Sequence, residues 1–552
     1  MANSGAGTAG KSRRPRSVIN VEGSKVKELG ILVRGGVLSP GRPDRVVKRL
    51  GALAKFGPSL AGSFAAAAAR DPHGGGIIDD ERAVTYGELD ARVRRLAAGF
   101  ADLGIGPEGG IAMLQRNSIY AVETLVAASR AGADAVLLST FLSPGQITEV
   151  LKREAPKAII VDADLSESLQ EVPEDMLVIV GHPGDGSVVA DTSLDQLALS
   201  SHPELDPPEK PGRIVILTSG TTGTPKGAKR GAPKGLSAAA SILSRLNFRP
   251  KERMLIAPPV FHTWGFGMLQ LAPALGSTIV LRRKPDAETI LAAIEEHKCT
   301  SAIVVPVMAQ RMVDLPAEVQ RKYDLSSLKV VACSSAAVSK DLSIRFQDTF
   351  GDVLYNIYGA TEVSWATIAN PQDLRLAPGT AGRPPIGTRL ALLNEKGRPV
   401  KLGDVGTIYV GNEMTFEGYT NGNDKARANG LLSTGDKGMI DENGLLMVMG
   451  RDDDMVISGG ENVYPIEVEE LLVAHPDITE AVVVGVPDAD MGQRLAAYVV
   501  TTEGSTLDVD GVKNIVRQKL ARFSVPRDVV FLDALPRNTV GKVVPRLLPP
   551  SA

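Results

Sequence analysis

Cysteine is nearly absent from this 552-residue chain, which contains only Cys299 and Cys333, each within an apolar run. Two cysteines cannot form a disulfide framework or a multi-cysteine zinc site, so we expect a protein of the reducing cytoplasm. No uninterrupted apolar run reaches the roughly 18 residues of a spanning helix, so no transmembrane segment is predicted. The charges nearly balance, with 61 Lys and Arg against 64 Asp and Glu, which gives no electrostatic footprint for nucleic acid.

The length exceeds what one hydrophobic core usually serves, so we expect two or more domains. The first twenty residues differ from the rest because they contain no acidic residue, are rich in glycine, and carry Lys11, Arg13, Arg14 and Arg16. We interpret residues 1–22 as a disordered basic tail. The tail also lacks the apolar segment of a secretory signal.

From about residue 80 onward, short apolar runs alternate with amphipathic helical patterns. The clearest helix begins at the capping box Thr85-Tyr86-Gly87-Glu88 and has its apolar residues at helical spacing. Buried strands are predicted at 135–138, 158–161, 177–180, 214–217, 278–281, 301–305, 329–333 and 353–358. This alternation predicts an α/β fold in which helices cover the faces of largely parallel sheets.

A hydroxyl- and glycine-rich stretch follows the apolar run 214–217 and ends in a single lysine. Residues 218–227 read TSGTTGTPKG. Glycines let backbone amides approach an anion without Cβ interference, and the hydroxyls and the ammonium add donors, so the stretch predicts a phosphate site. Its candidate ligands are Thr218, Ser219, Gly220, Thr221, Thr222, Gly223 and Lys226. It is not a Walker A loop, because Pro225 and Gly227 stand where that pattern needs Gly and Ser or Thr.

The decapeptide resembles the phosphate loop of the adenylate-forming (ANL) superfamily of acyl-CoA synthetases, aryl-CoA ligases, luciferases and nonribosomal adenylation domains. The resemblance covers residues 80–546 and includes YGATE at 358–362. It implies that Tyr358 packs on adenine, Thr361 bonds the α-phosphate and Glu362 holds Mg²⁺. One glutamate is sufficient for a hard cation that also has phosphate ligands. The resemblance adds further nucleotide contacts at Gly359, Ala336, Ala337 and Asn356.

The segment 261–267, FHTWGFG, takes the place of the superfamily's acyl pocket. The resemblance places His262 near the substrate carboxylate, as a catalytic residue, and Trp264 along an apolar tunnel, as its lining or its gate. A packed core histidine with aromatic neighbours is the alternative. Members that activate amino acids have an aspartate at this position, and a buried ammonium without a partner is costly, so an amino acid substrate is disfavoured.

Four later motifs complete the resemblance. Asp436 of the STGD motif would accept the ribose hydroxyls, since a carboxylate accepts two hydrogen bonds, and Arg451 would contact the ribose or a phosphate. Asp453 takes the place of the hinge residue. Gly459 and Gly460 would line the coenzyme A channel. Lys542 takes the place of the catalytic lysine, whose charge stabilises the pentacoordinate phosphorus.

The resemblance also sets the expected domains. They are the tail 1–22, a large N-terminal domain over 23–452 with mostly parallel, helix-flanked sheets, and a small mobile α+β domain over 453–552. We expect the small domain to rotate about Asp453, presenting Lys542 in one step and the Gly460 channel in the next.

We therefore expect an ATP-dependent acyl-CoA synthetase that uses ATP, Mg²⁺ and coenzyme A. The acid is expected to be a medium- or long-chain fatty acid, converted first to acyl-AMP and then to acyl-CoA. The alternatives are a fatty acyl-AMP ligase that loads a carrier protein, an aryl-CoA ligase, and a non-catalytic acyl- or nucleotide-binding protein. The sequence leaves the oligomeric state open, with a homodimer as one alternative.

Overall fold

The computed structural model describes residues 17–38, 42–186, 188–199, 205–218, 226–230, 235–419, 424–451, 456–458, 461–488, 492–520, 522–538 and 541–551. For some of these, including Thr218 and Lys226, only the backbone is described. Among the described residues, none of the helices combines the length and the hydropathy needed to cross a bilayer.

Strands and helices alternate along most of the chain. The strands are β1 (Val18–Asn20), β2 (Gly76–Ile78), β3 (Ala83–Thr85), β4 (Ile111–Leu114), β5 (Ala135–Leu137), β6 (Ala158–Val161), β7 (Leu177–Val180), β8 (Thr192–Ser193), β9 (Ile214–Thr218), β10 (Lys226–Arg230), β11 (Arg253–Ile256), β12 (Thr278–Leu281), β13 (Ser301–Val304), β14 (Val330–Cys333), β15 (Leu354–Tyr358), β16 (Thr367–Ala369), β17 (Arg389–Leu393), β18 (Gly406–Gly411), β19 (Arg427–Ala428), β20 (Leu431–Ile440), β21 (Leu446–Arg451), β22 (Val456–Ser458), β23 (Glu461–Val463), β24 (Ile478–Asp488), β25 (Gly492–Thr501) and β26 (Asp528–Phe531). The α-helices are α1 (Lys25–Arg34), α2 (Pro43–Phe56), α3 (Leu60–Arg70), α4 (Tyr86–Asp102), α5 (Ile119–Ala131), α6 (Pro144–Glu154), α7 (Leu194–Leu199), α8 (Ser237–Leu243), α9 (Thr263–Leu275), α10 (Ala287–Glu296), α11 (Pro306–Asp314), α12 (Ala317–Gln320), α13 (Lys340–Phe350), α14 (Pro371–Leu376), α15 (Pro465–Val473) and α16 (Val509–Arg517).

Two largely parallel sheets form the body of the large domain. The first has the order β10-β9-β5-β4-β6-β7-β8, and only the β10 edge is antiparallel. The second has the order β16-β15-β14-β13-β11-β12-β2-β3 and is parallel from β15 to β2. One apolar core contains residues of both sheets together with α4, α5 and α9. The prediction of parallel, helix-flanked sheets is confirmed.

The helix starts follow from local capping chemistry. At α4 the Thr85 hydroxyl accepts from the Glu88 amide while the Glu88 carboxylate accepts from the Thr85 amide, which satisfies two donors at the helix start. At α6, Ser143 and Gln146 repeat this exchange. Both helices therefore begin where their sequences predict.

The carboxyl edges of the two parallel sheets meet at Asn117, just beyond β4. Its amide nitrogen lies 3.3 Å from the carbonyl oxygen of Ile256, the last residue of β11, and 3.0 Å from that of Pro258. Its oxygen accepts from the Val260 amide at 2.8 Å. Because ligands bind beyond the carboxyl ends of parallel strands, this junction is where a site is expected.

A third, antiparallel sheet was not predicted as a unit. Its order is β1-β17-β18-β20-β19, and β21 pairs with β20. The expected disordered tail 1–22 extends too far, because Val18–Asn20 pairs with Arg389–Ala391 as an edge strand. This pairing involves residues about 370 positions away, which no local pattern shows. Residues 1–16 lie outside the described part of the chain.

The C-terminal module has its own small sheet and its own core. Its order is β23-β22-β25-β24, with β26 parallel to β25. The helices α15 and α16 supply Val468, Leu472, Val512 and Val516 to a core with residues of β24 and β25. The chain therefore has a large α/β domain followed by a smaller α+β domain, as the sequence predicts.

Candidate active site

The predicted phosphate loop joins two paired strands at the edge of the first sheet. Thr218, the last residue of β9, lies opposite Lys226, the first residue of β10, in an antiparallel pair. The predicted ligands Ser219, Gly220, Thr221, Thr222 and Gly223 lie outside the described residues, as do the side chains of Thr218 and Lys226. Ala228, the residue after Gly227 on β10, is fully buried and forms an isolated β-bridge with Tyr419.

The segment 358–362 leaves the carboxyl end of β15. Gly359 passes so close to the chain that a Cβ there would lie 2.4 Å from the carbonyl oxygen of Ser364, so only glycine fits. Thr361 is half-buried, and its Oγ1 lies 3.4 Å from Oγ1 of Thr263 in the first turn of α9. The predicted nucleotide segment and the predicted acyl segment therefore meet at these two threonines.

Glu362 is held by a tyrosine that the sequence did not single out. The Tyr419 phenol donates a hydrogen bond to Glu362 Oε1, and the ring of Tyr419 packs edge-on against Phe416 with centroids 5.0 Å apart. Burial, and then the bond to Glu362, raise the pKa of Tyr419, so the phenol remains a donor at neutral pH.

The surroundings of Glu362 fit a magnesium ion that also binds phosphate. Tyr419 occupies one carboxylate oxygen, and a carboxylate has further lone pairs on the other. Among the described residues no group of three or more His, Cys, Asp or Glu side chains could hold a metal ion by itself. A single carboxylate suits Mg²⁺, which keeps most of its shell for water and phosphate oxygens.

Tyr358 and Asp436 form a half-buried hydrogen-bonded pair between two sheets. Tyr358 Oη lies 2.5 Å from Asp436 Oδ2, to which it donates, and 3.3 Å from Thr434 Oγ1. Thr434 fixes the backbone of β20 next to Asp436. Its hydroxyl donates to the Ile408 carbonyl at 3.1 Å and accepts from the Asp436 amide at 3.1 Å. Burial and the adjacent carboxylate raise the pKa of Tyr358 well above its ordinary value.

The Asp436 carboxylate is surrounded by positive charge. Burial raises its pKa, and the Tyr358 hydrogen bond and the charges of Arg451, Lys542 and Lys425 oppose that rise. Arg451 lies opposite Asp436 in the β20–β21 pair, and its charge also acts on Tyr358 and Tyr419. The charge of Arg451 therefore acts on the Tyr358–Asp436 pair and on Tyr419.

Lys542, in the small domain, acts on this cluster through its charge, which opposes the rise in the pKa of Asp436. It is exposed, and its backbone closes a tight loop in which its amide donates to Asn538 Oδ1 at 2.9 Å and its carbonyl accepts from the Asn538 amide at 2.8 Å. The preceding Gly541 has φ +72° and lies against α11 of the large domain, where an added Cβ would be 2.0 Å from Val307 Cγ1. The lysine loop is thus seated on the large domain.

His262 is the N-cap residue of α9 and lies beside Phe261, with ring centroids 4.7 Å apart. Burial lowers the pKa of His262 to about 4, so the imidazole is neutral at pH 7. Trp264 is 8% exposed, and its indole N–H donates to the Val304 carbonyl at 3.1 Å. An anchored indole favours a fixed wall over a moving gate.

The predicted adenine segment follows β14. Ser335 has φ +80°, a left-handed conformation that favours glycine. Ser334 stabilises the turn, because its hydroxyl donates to the Ile357 carbonyl at 2.7 Å. Ala337 is exposed and Ala336 half-buried. Asn356 is buried, and its amide donates to the Thr380 carbonyl at 2.9 Å, which gives it a structural bond of its own.

Three further predicted residues, Asp453, Gly459 and Gly460, lie outside the described residues. The strands on either side of the two glycines, β22 and β23, form an antiparallel pair. Sequence reasoning missed Tyr419, Thr434 and Thr263, because each acts through a neighbour far away in sequence. Gly-Tyr at 418–419 carries no periodicity or spacing that would have identified it.

Two profiles of known protein families match this chain. The profile described as "AMP-binding enzyme" matches residues 64–420, and that described as "AMP-binding enzyme C-terminal domain" matches residues 467–542.

Two relatives and one solved structure are representative. The indoleacetate–CoA ligase of Aromatoleum aromaticum is 34% identical over 475 residues, which cover 84% of this chain and 92% of the relative. A feruloyl-CoA synthase of an Amycolatopsis species is 32% identical over 484 residues, covering 86% and 95%. The o-succinylbenzoate CoA synthetase of Bacillus subtilis, solved with its acyl-adenylate, is 25% identical with a TM-score of 0.76, covering 88% of this chain and 97% of the other.

Proposed function

Because the chain belongs to the AMP-binding enzyme family, we propose that it activates a ring-bearing carboxylic acid with ATP and transfers the acyl group to coenzyme A. It acts as an acid–thiol ligase that uses ATP, Mg²⁺ and coenzyme A. The observation that carries the proposal is the seating of the Lys542 loop on the large domain, within electrostatic reach of Asp436.

In the first step an oxygen of the acid attacks the α-phosphorus of ATP, and pyrophosphate leaves. Lys542 is placed to act at this point, because its ammonium reduces the repulsion between the carboxylate and the α-phosphate and then stabilises the charge of the pentacoordinate transition state. Thr361 donates to the α-phosphate from the start of the 361–362 turn. The phosphate loop over 218–226 holds the remaining phosphates, with Lys226 as its cation.

The nucleoside is held by the cluster around Asp436. Its carboxylate accepts the ribose hydroxyls while Tyr358 holds it from the other side, and Arg451 supplies positive charge between ribose and phosphate. The ring of Tyr358 packs on the adenine. Ala336, Ala337 and Gly359 leave room for the flat base, and Asn356 lies beneath it.

Glu362 is the residue that holds Mg²⁺, and Tyr419 orients it. When bound, the ion neutralises charge on the phosphate oxygens and polarises the phosphorus. A hydrogen bond that fixes the ligand carboxylate keeps its free oxygen aimed at one place. Tyr419 therefore acts as a positioning residue for the metal site.

In the second step the sulfur of coenzyme A attacks the acyl carbon and AMP leaves. Gly459 and Gly460 line the channel for the pantetheine arm, which a side chain would obstruct. We place the domain boundary between residues 452 and 453, with Asp453 as the hinge about which the small domain turns. Lys542 serves the first step only, so it moves away for the second.

The acid is proposed to carry an aromatic ring. The relatives named above take indoleacetate, ferulate and o-succinylbenzoate, all of which contain one. A neutral His262 cannot form an ion pair with the acid, although it can donate a hydrogen bond to it. Trp264 supplies a fixed wall. A ring-bearing acid therefore replaces the fatty acid expected from the sequence.

The test is coenzyme A-dependent release of AMP across a panel of acids. Indole-3-acetate, ferulate and benzoate are compared with straight-chain acids of medium and long length. We expect kcat/KM for the best aromatic acid to exceed that for every straight-chain acid by at least about tenfold. Contact with even one methylene group in an apolar pocket provides discrimination of about this size. A preference for a long straight chain would contradict the substrate class. Release of AMP that needs a carrier protein in place of coenzyme A would contradict the acceptor.

A further inference from the structure

The chain divides its charge unevenly between its first segment and the rest. Residues 1–58 contain 12 Lys and Arg against 3 Asp and Glu, whereas residues 59–552 contain 49 against 61. A basic segment on an otherwise acidic protein is the asymmetry expected of a surface that meets an anionic partner. The family profile begins at residue 64, so the segment lies outside the part of the chain that the profile matches.

The helix α1 carries an exposed apolar stripe. Val26, Leu29 and Val33 are 80%, 53% and 47% exposed and are spaced i, i+3, i+7, which places them on one face. The residues that flank the stripe are exposed cations, Lys25, Lys27 and Arg34. The opposite face, with Ile31 and Leu32, is buried in the main core. The stripe therefore lies on the solvent-facing side of a helix whose other side is already packed.

The helix α2 repeats this pattern with the same spacing. Val47 and Leu50 are 70% and 54% exposed, and Ala54 completes the i, i+3, i+7 stripe. Lys48 and Lys55 are exposed beside it. Each helix contains one acidic residue, and each of these residues has a side-chain partner. Asp44 forms an ion pair with Arg42 at 3.3 Å, and the Glu28 carboxylate accepts a hydrogen bond from the Ser237 hydroxyl at 3.1 Å.

Both helices are fastened to the large domain at Arg70, the last residue of α3. The Arg70 guanidinium donates to the Gly36 carbonyl, just after α1, at 2.8 Å. The Arg45 guanidinium, in the first turn of α2, donates to the Arg70 carbonyl at 3.1 Å. Gly36, just after α1, and Arg45, in the first turn of α2, therefore both bond to Arg70.

An open groove extends the surface of α1. It has a volume of about 1310 Å³ and is lined by Val26, Lys27 and Arg34 of α1 and, across from them, by Phe248, Arg249 and Pro384. Arg249 is exposed. The groove therefore shows the same combination of apolar side chains and cations as the helix beside it.

We propose that α1 and α2 dock this protein onto an anionic lipid bilayer, lying in the plane of the interface. A helix with an apolar stripe and flanking lysines and arginines binds there by inserting the stripe below the headgroups while its cations contact them. Each cation near an anionic leaflet adds to the attraction, which salt weakens. The proposal does not depend on which acid the enzyme activates.

The observations favour a bilayer over two other anion-binding or apolar partners. Nucleic acid would match the charge, but it would leave the valine and leucine stripes against phosphate without apolar contacts. A second copy of this chain would match the stripes, but a two-fold contact through this surface would bring two strongly basic segments together. Of these three partners, the lipid interface is the one that matches both the stripes and the cations.

The test is sedimentation of the full-length protein with large unilamellar vesicles. Vesicles of phosphatidylcholine with about one-third phosphatidylglycerol should bind at least roughly tenfold more protein than vesicles of phosphatidylcholine alone, and about 0.5 M salt should remove most of that difference. The double variant Val47→Asp/Leu50→Asp should reduce partitioning roughly tenfold, because both side chains leave the apolar layer. Leu376→Asp is the matched control, since Leu376 is a 59% exposed helical leucine of α14.

Equal sedimentation with the two vesicle types, or a Leu376→Asp effect as large as that of the double variant, would overturn the proposal. So would binding to duplex DNA that the double variant weakens equally, or a dimer, seen by light scattering, that the double variant dissociates. The lipid and salt dependence of the unmodified protein decides the question even when a variant folds poorly.

Discussion

The phenol of Tyr419 donates a hydrogen bond to the carboxylate of Glu362, and the backbone of Tyr419 bridges to Ala228 on the strand that leaves the phosphate loop. One tyrosine thus connects the proposed magnesium ligand with the exit of the proposed phosphate site. The two elements are separated by well over a hundred residues in sequence, so this link exists only in the folded protein.

Replacement of Tyr419 by phenylalanine tests that link. Without the phenol the Glu362 carboxylate is free to turn, so we expect the Mg²⁺ concentration for half-maximal adenylation to rise roughly tenfold or more, as for other lost ligand-orienting bonds. Pyrophosphate exchange over a Mg²⁺ titration measures it. Tyr409→Phe is the control, because Tyr409 lies on β18 and packs against the cluster of Ala391, Leu393 and Leu431. An unchanged Mg²⁺ dependence would remove Tyr419 from the metal site.

Replacement of Tyr358 by phenylalanine should change the pH dependence of ATP binding. Burial raises the pKa of Asp436, and the Tyr358 bond opposes that rise by stabilising the ionised form. Removing this donor raises the pKa of Asp436 further. During acidification, the carboxylate that accepts the ribose hydroxyls therefore becomes protonated at a higher pH in the variant than in the unmodified protein.

The acid limb of kcat/KM for ATP should therefore shift to higher pH in Tyr358→Phe, and the KM for ATP at neutral pH should rise by roughly tenfold for one charge-assisted hydrogen bond. Steady-state rates from about pH 5 to 8 measure both. Tyr355→Phe, on the same strand and 8% exposed, is the matched control. An acid limb that moves to lower pH would contradict the role of Tyr358.

Replacement of Lys542 by alanine should separate the two half-reactions. We expect adenylation to slow by roughly 10²- to 10³-fold, by analogy with the loss of a preorganised oxyanion donor, while thioester formation from supplied acyl-AMP stays largely intact. Rapid-quench measurement of each half-reaction distinguishes them, with Lys519→Ala, an exposed lysine of the same domain, as the control. If both steps fell equally in a folded protein, the assignment of Lys542 to the first step would be wrong.

The seating of the lysine loop gives a separate prediction at Gly541. In Gly541→Ala the new Cβ would meet Val307 Cγ1 at 2.0 Å, and the residue would keep a φ of +72° that L-residues disfavour. We expect adenylation to fall by roughly 10- to 100-fold because the ammonium is displaced, with thioester formation less affected.

The second substitution Val307→Ala removes Cγ1 and should restore part of the adenylation rate. This rescue is the control for the contact itself, because a general loss of stability in Gly541→Ala would not be relieved by a cavity in α11. Loss of the rate without any rescue would place the defect elsewhere than at α11.

The substitution Asp453→Pro tests whether Asp453 is the hinge. Asp453 lies outside the described residues. A proline fixes φ near −65° and removes an N–H, so a rotation at this position is blocked. We expect Asp453→Pro to keep one half-reaction near its normal rate and to slow the other by at least roughly tenfold. Asp452→Pro is the neighbouring control, and unchanged turnover in Asp453→Pro would remove the hinge assignment.

The sequence by itself determined the elements that depend on local chemistry. The capping boxes at Thr85 and Ser143 marked two helix starts, and apolar runs located the buried strands of both parallel sheets. The resemblance to the adenylate-forming superfamily brought Tyr358, Glu362, Asp436 and Lys542 into one list of candidates. The helix starts and the strands were predicted correctly because a cap or a buried strand is encoded by neighbouring residues.

Only the tertiary structure decided which of those residues touch, and through what. The edge strand Val18–Asn20, the Tyr419–Glu362 bond, the seating of Gly541 on Val307 and the shared anchor at Arg70 all join distant segments. Neither the composition of the sequence nor its hydrophobic periodicity identifies these pairs. They form because the packing of the folded chain brings segments together that are far apart in sequence. The same packing leaves Val26 and Val47 outside, although apolar residues at helical spacing would be expected to face the core.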